Sequence, residues 1–220
     1  MDIAELADEA WALTGGGRAR TVLGIAGPPG AGKSTLATAL VTRIERRHGE
    51  AAAGYLPLDG FHLSNRRLER LGLTDRKGSA PSFDVWGYEA LLRRVHEDTG
   101  RDIYVPDYDR TLHEPVAARH LLRPHTRLVV TEGNYLACAA PGWREARRLM
   151  AEVWYVETPD AVRDARLVER QLAGGRDAAG ARAWVDGNDH PNGEWVKESR
   201  SRCDRVIREL DLDLSGTGRD

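Results

Sequence analysis

Short apolar runs alternate along this chain with longer segments whose apolar residues recur every three or four positions. The runs Thr21-Val22-Leu23-Gly24-Ile25-Ala26, Arg127-Leu128-Val129-Val130-Thr131 and Glu152-Val153-Trp154-Tyr155-Val156 predict buried strands, the second of them central. Gly54-Tyr55-Leu56-Pro57-Leu58 predicts another strand ending at Asp59, weakened by Pro57, which has no N–H for a sheet ladder. Ile103-Tyr104-Val105-Pro106 is a short further candidate. Helical spacing covers 2–13 (Ile3, Leu6, Ala10, Leu13), the segment from Thr35, then 64–71, 88–97, 159–172 and 178–186. Gly15-Gly16-Gly17 separates the first helix from the first strand, and Gly174-Gly175 interrupts the last helical region. Strands alternating with helices imply an α/β sandwich around a mostly parallel sheet, whose ligands bind beyond the carboxyl ends of the strands.

Composition narrows the class. A chain of 220 residues supports one substantial core, so a single domain is expected, with 1–17 as N-terminal helix and linker and about 163–186 as a small helical lid. A formal net charge of −2 gives no global attraction to nucleic acid or an anionic membrane. Cys138 and Cys203 fit neither a disulfide framework nor a metal-ligand spacing, and are expected as free thiols of a reducing compartment. The acidic N-terminus carries no targeting pattern and no apolar run reaches membrane-spanning length, so a cytoplasmic location is expected. The first helix is either a core element or the face of a homodimer.

The candidate chemistry begins at Gly27-Pro28-Pro29-Gly30-Ala31-Gly32-Lys33-Ser34, which spells G-x-x-x-x-G-K-[ST] between the first strand and the helix opening at Thr35. Such a loop aims backbone N–H groups and a helix N-terminus at an anion. Gly27, Pro28, Gly30, Ala31, Gly32, Lys33, Ser34 and Thr35 are therefore expected to cradle ATP, with Lys33 on the terminal phosphates and the Ser34 hydroxyl on Mg2+. Only three lysines (Lys33, Lys77, Lys197) occur among the 32 basic residues, so a lysine at 33 stands against an arginine background and suits a compact point charge.

A phosphate loop alone does not separate a kinase from an ATPase, a switch or a motor. No Asn-Lys-x-Asp guanine-reading motif occurs. Asp59, in Asp59-Gly60-Phe61-His62 after the second strand, stands where an acceptor would lie and is the expected base for an attacking hydroxyl. Its plainer role is a turn aspartate. Glu132, directly after the strand 127–131, is the expected second carboxylate for Mg2+. Arg163, Arg166 and Arg170 share one helix face and Arg176 follows the Gly174-Gly175 break, so they can close over a triphosphate or form a solvated, ion-paired face. The stretch 104–114 gathers aromatic, acidic and imidazole groups in a loop-like segment suited to a polar small molecule.

Taken in order, Ile25–Thr35, Leu58-Asp59-Gly60-Phe61-His62-Leu63, Arg76-Lys77-Gly78 with Ser82-Phe83-Asp84, Pro106–Arg110 with His113, and Val130–Tyr135 resemble the uridine kinase/phosphoribulokinase-like branch of the P-loop kinases, over roughly residues 20–207. They look most like its bacterial nucleoside- and nucleotide-kinase-like members, related also to pantothenate kinase. The resemblance implies a P-loop NTPase three-layer sandwich and ATP-dependent phosphoryl transfer to a hydroxyl of a small polar metabolite, nucleoside-like before others. A sugar, a sugar phosphate or a pantothenate-like alcohol are the alternative acceptors, and a non-catalytic ATP-binding regulator the alternative role. It implies Asp59, Lys33, Arg166 and Arg170 as catalytic, Arg176 on the nucleotide, Ser34 and Glu132 on Mg2+, and His62, Lys77, Asp84, Tyr108 and His113 on the acceptor. Asp59-Gly60-Phe61-His62 departs from the Asp-Ser-Phe-Tyr of uridine kinases, and Gly174 replaces a lid arginine.

Overall fold

Three of the expected strands form the middle of one parallel sheet. The computed structural model describes residues 2–17 and 19–208. Strands β1 (Thr21–Ala26), β2 (Ala53–Pro57), β5 (Leu128–Gly133), β6 (Glu152–Glu157) and β7 (Arg205–Arg208) lie in the order β2-β5-β1-β6-β7. Every pairing among them is parallel. β1 and β5 are buried nearly throughout because helices cover both faces of the sheet, which removes the usual alternation. On one face α1 (Ile3–Ala12) and α2 (Lys33–His48) bury Ile3, Leu6, Leu36 and Leu40 against Leu23, Ile25 and Val130. On the other, α4 (Val85–Glu97), α5 (Trp143–Arg147) and α8 (His190–Lys197) bury Tyr88, Leu92, Trp143 and Val196 against Val22, Val129 and Tyr155. α1 is thus a core element of the first face.

Pro57 is compatible with a strand because β2 is the sheet's edge, paired only with β5, and Pro57 is its last residue. The stretch 104–114 is not a loop. It forms the strand β3 (Ile103–Asp109), a tight turn, and the start of β4 (Glu114–Leu122), a separate antiparallel hairpin. Ile103, Val105 and Leu122 anchor that hairpin in the core. Pro106 sits where the register shifts between Val105 and Asp107, and this bulge hides the strand periodicity.

The strand ends leave every functional segment on one rim. α2 follows β1, a 3-10 turn (Leu58–Phe61) follows β2, and Asn134 follows β5. α3 (Asn65–Leu71) and the hairpin stand on one side of this rim. On the other, α6 (Asp160–Ala173), α7 (Ala178–Trp184) and a single π-helical turn (Val185–Asp189) lead into α8. No described helix is long and apolar enough to cross a membrane, and both cysteines are free thiols.

Candidate active site

The phosphate loop owes its shape to backbone that side chains would spoil. Gly32 caps α2 at φ +88°, and Gly30, at φ +78°, faces the Arg163 carbonyl 3.0 Å from where a Cβ would stand. Arg163 is itself buried; its Nε donates to the Pro29 carbonyl at 2.9 Å and its Nη1 to Asp160 at 2.5 Å. It therefore braces the loop from behind and does not reach over a nucleotide. Pro29, Gly30, Gly32, Lys33, Ser34 and Thr35 line a cleft of about 860 Å3. Gly27, Pro28 and Ala31 shape the loop from outside that cleft: the Pro28 carbonyl accepts from Lys33, and the Ala31 carbonyl from Thr158.

Lys33, buried at the first turn of α2, donates from Nζ to Pro28 O at 3.1 Å and to Asn134 Oδ1 at 2.8 Å. Burial pulls its ammonium down to about 8, against the opposing pull of Glu132 and Asp59. Ser34 Oγ and Tyr55 Oη both donate to Glu132 Oε1, at 3.0 and 2.8 Å. Burial, then the charge of Asp59, raises the Glu132 carboxyl above its usual range, while Lys33 and the two hydroxyls oppose the shift. Both bonds fall on Oε1, so the hydroxyl and the Oε2 edge together form a hard oxygen donor set of the kind Mg2+ takes. No group of three or more His, Cys, Asp or Glu among the described residues could hold a metal by itself.

Asp59 stands across the cleft in the turn after β2. Two basic side chains stand near it, Arg110 Nη2 at 3.9 Å and His62 Nδ1 at 4.0 Å, both beyond hydrogen-bond reach. Neither consumes the carboxylate. Gly60 explains the departure from the uridine-kinase motif: a Cβ there would come within 2.3 Å of the Pro106 carbonyl, so the turn packs backbone to backbone on β3. His62 packs at a tilt against Phe83 (4.0 Å between ring centres) and Tyr108 (5.0 Å), and burial lowers its pKa, so its ring is neutral at pH 7. Burial pushes the Tyr108 hydroxyl up to about 12. Lys77 Nζ donates to Asn65 Oδ1 at 2.5 Å and to the His113 carbonyl at 2.6 Å, with Tyr108 beneath it at 5.1 Å. His113, at φ +54° in the hairpin turn, also lines the cleft.

The structure does not bring all the expected residues together. Asp84 is exposed and outside the cleft; it caps α4, accepting from the Gly87 N–H at 2.9 Å, so the structure does not bring it beside the other expected acceptor residues. Of the lid arginines, Arg170 and Arg176 line the cleft, the latter stacked on Trp184 at 4.1 Å. Arg166 does not line it; its Nη1 lies 3.4 Å from the Gly30 carbonyl. The cleft also gains residues to which the sequence reading gave no role: Asn134, Asn65, Arg110, Trp184 and Asp189 line it, and Tyr55 supports it through Glu132. Asn134 had a signal, since it lies two residues beyond Glu132 on the same strand end.

No family model matches the chain. A Schizosaccharomyces pombe protein provisionally named a uridine kinase is 32% identical over 199 residues, spanning 88% of this chain and 85% of that one. Pantothenate kinase of Lacticaseibacillus casei is 26% identical over 84% of this chain and 67% of its own. A crystal structure from Silicibacter sp. TM1040, provisionally named a fructose transport system kinase, superposes with a TM-score of 0.84 at 32% identity, over 94% of this chain and 99% of that one. Likeness at this level across nearly whole chains, on a rim already carrying a phosphate loop and a facing carboxylate, identifies the lineage: the chain belongs to the P-loop kinases of the uridine kinase/phosphoribulokinase-like branch and is an ATP-dependent kinase.

Proposed function

We propose that this kinase transfers the γ-phosphoryl group of ATP to a hydroxyl of a small polar metabolite, with a nucleoside-like compound as the favoured acceptor. The observation that carries the reading is Asp59, a carboxylate facing the phosphate loop, with the Arg110 guanidinium 3.9 Å away and the His62 ring 4.0 Å away. In this reading it accepts the proton of the attacking hydroxyl and holds that oxygen in line with the γ-phosphate. Lys33 and the loop N–H groups fix the β- and γ-phosphates, and Arg170 faces the charge that develops on the transferring group. Ser34 and Glu132 would hold Mg2+, which when bound neutralises phosphate charge.

The acceptor half supports a flat, polar molecule. His62, Phe83 and Tyr108 make one aromatic wall, and Lys77, Arg110 and His113 rim it. Uridine and pantothenate, carried in the names of two relatives, are both alcohols. A charged acceptor such as a sugar phosphate has one observation in its favour: Lys77 is fixed by two neutral oxygens, with no carboxylate within 4.0 Å among the described residues. An ATP-coupled screen over nucleosides, sugars, pantothenate-like alcohols and sugar phosphates tests the reading, with Asp59→Asn as control. Acceptor-stimulated ADP release with a phosphorylated product, lost in the variant, is the expected outcome. ATP binding with no stimulation across the panel would favour a regulator instead.

A further inference from the structure

The lid contains a buried acid that phosphoryl transfer, as described above, leaves unused. Asp189 closes the π-helical turn between α7 and α8, a kind of turn that recurs at functional positions. It is 6% exposed and lines the cleft, yet its Oδ2 has no hydrogen-bond partner among the described residues. Its Oδ1 stands 3.8 Å from Arg170 Nη2, just outside bonding range. A buried acceptor left without a donor costs stability, so the fold tolerates a defect at the point where it meets the lid arginine. The turn is fixed from both sides. Asn188 Nδ2 donates to the Lys77 carbonyl at 2.7 Å, and Asn192 Nδ2 to Asn188 Oδ1 at 3.2 Å. The carboxylate's place is therefore preset relative to the loop that carries Lys77.

Arg170 lines the same cleft as Lys33 on the donor side and Tyr108 on the acceptor side. A guanidinium has five donors in a rigid plane and pairs with a carboxylate through two parallel bonds. The near contact to Oδ1 and the unspent Oδ2 are an incomplete fork of that geometry. We infer that Asp189 is a positioning residue for Arg170: as the lid closes on nucleotide, the carboxylate grips one edge of the guanidinium and turns the other toward the phosphates. Orientation set in advance leaves less side-chain freedom to lose on binding. The inference rests on Arg170 acting as the lid arginine.

The test is the affinity of the full chain for a non-hydrolysable ATP analogue with Mg2+, in R170A, D189N and the double variant, each checked by thermal melting. R170A is expected to bind about 10-fold or more weakly, the loss of a charge-assisted contact. D189N keeps the shape and is expected to bind roughly 3- to 10-fold more weakly, with an unchanged or raised melting temperature. The double variant should lie within about 2-fold of R170A alone, because each removes the same coupled pair. If D189N does not fold at 25 °C, Asp189→Ser is read in its place. R170A without effect removes the lid reading and the proposal with it. An active R170A beside an inert D189N, or losses that simply multiply, overturns the Asp189 proposal alone. Tighter binding in D189N also overturns it, since the acid would then be holding Arg170 away from the nucleotide.

Discussion

The two halves of the cleft are built on opposite principles. The donor half is eight consecutive residues whose function is mostly main chain: the positive φ of Gly30 and Gly32, the N-terminus of α2, and Lys33 folded back on Pro28 and Asn134. The acceptor half is assembled from side chains on four separate segments. Asp59 and His62 come from the turn after β2, Lys77 from the loop beyond α3, Tyr108 and His113 from the hairpin, and Phe83 from the approach to α4. A phosphate presents the same oxygens in every substrate, so backbone amides suffice for it and their geometry is fixed by local sequence. An acceptor is read by groups whose placement depends on tertiary packing. The donor half therefore marks a nucleotide-binding site, and the choice of acceptor falls to the other half.

That contrast can be broken from either side. The largest effect is expected at Lys33→Met, which leaves the loop backbone but deletes the buried cation; turnover should fall at least about 100-fold, as when a preorganised transition-state donor is lost. Retention of activity would mean the backbone alone carries the donor half. Lys77→Met should act on the other half only, raising the acceptor KM by about 10-fold with the affinity for ATP unchanged. An equal loss in ATP affinity would show that the halves are not separable at this residue. The smallest effect belongs to Asp84→Ala. As a helix cap it should cost about 1 kcal/mol, a melting shift on the order of 2–4 °C, with acceptor KM unmoved. A raised KM would return Asp84 to the acceptor.

The same contrast governs what could be read from the chain. The loop, its strand and its helix were legible because their signals are contiguous. Pro57 looked like a defect, and only the edge position of β2 removes the objection. Of the hairpin only the start of β3, Ile103–Pro106, is legible, because Pro106 and its bulge interrupt the alternation beyond it. Asp84 matches a motif, but the helical spacing begins only at residue 88, so its place as the N-cap of α4 shows only in the structure. Arg163, Arg166 and Arg170 share a face by spacing, yet long side chains send the first behind the loop and only the third into the cleft. Asp189 carries no local signal, since its burial comes from the packing of the turn between α7 and α8.

Asp59 joins the halves, so the most direct measurement is made on it. With an acceptor from the screen in hand, Asp59→Asn should retain ATP affinity within about 2-fold while acceptor-dependent ADP release falls by two or more orders of magnitude, the contribution of a positioned base. Turnover undiminished in that variant would contradict the account, because the carboxylate facing the phosphate loop would then have no part in phosphoryl transfer.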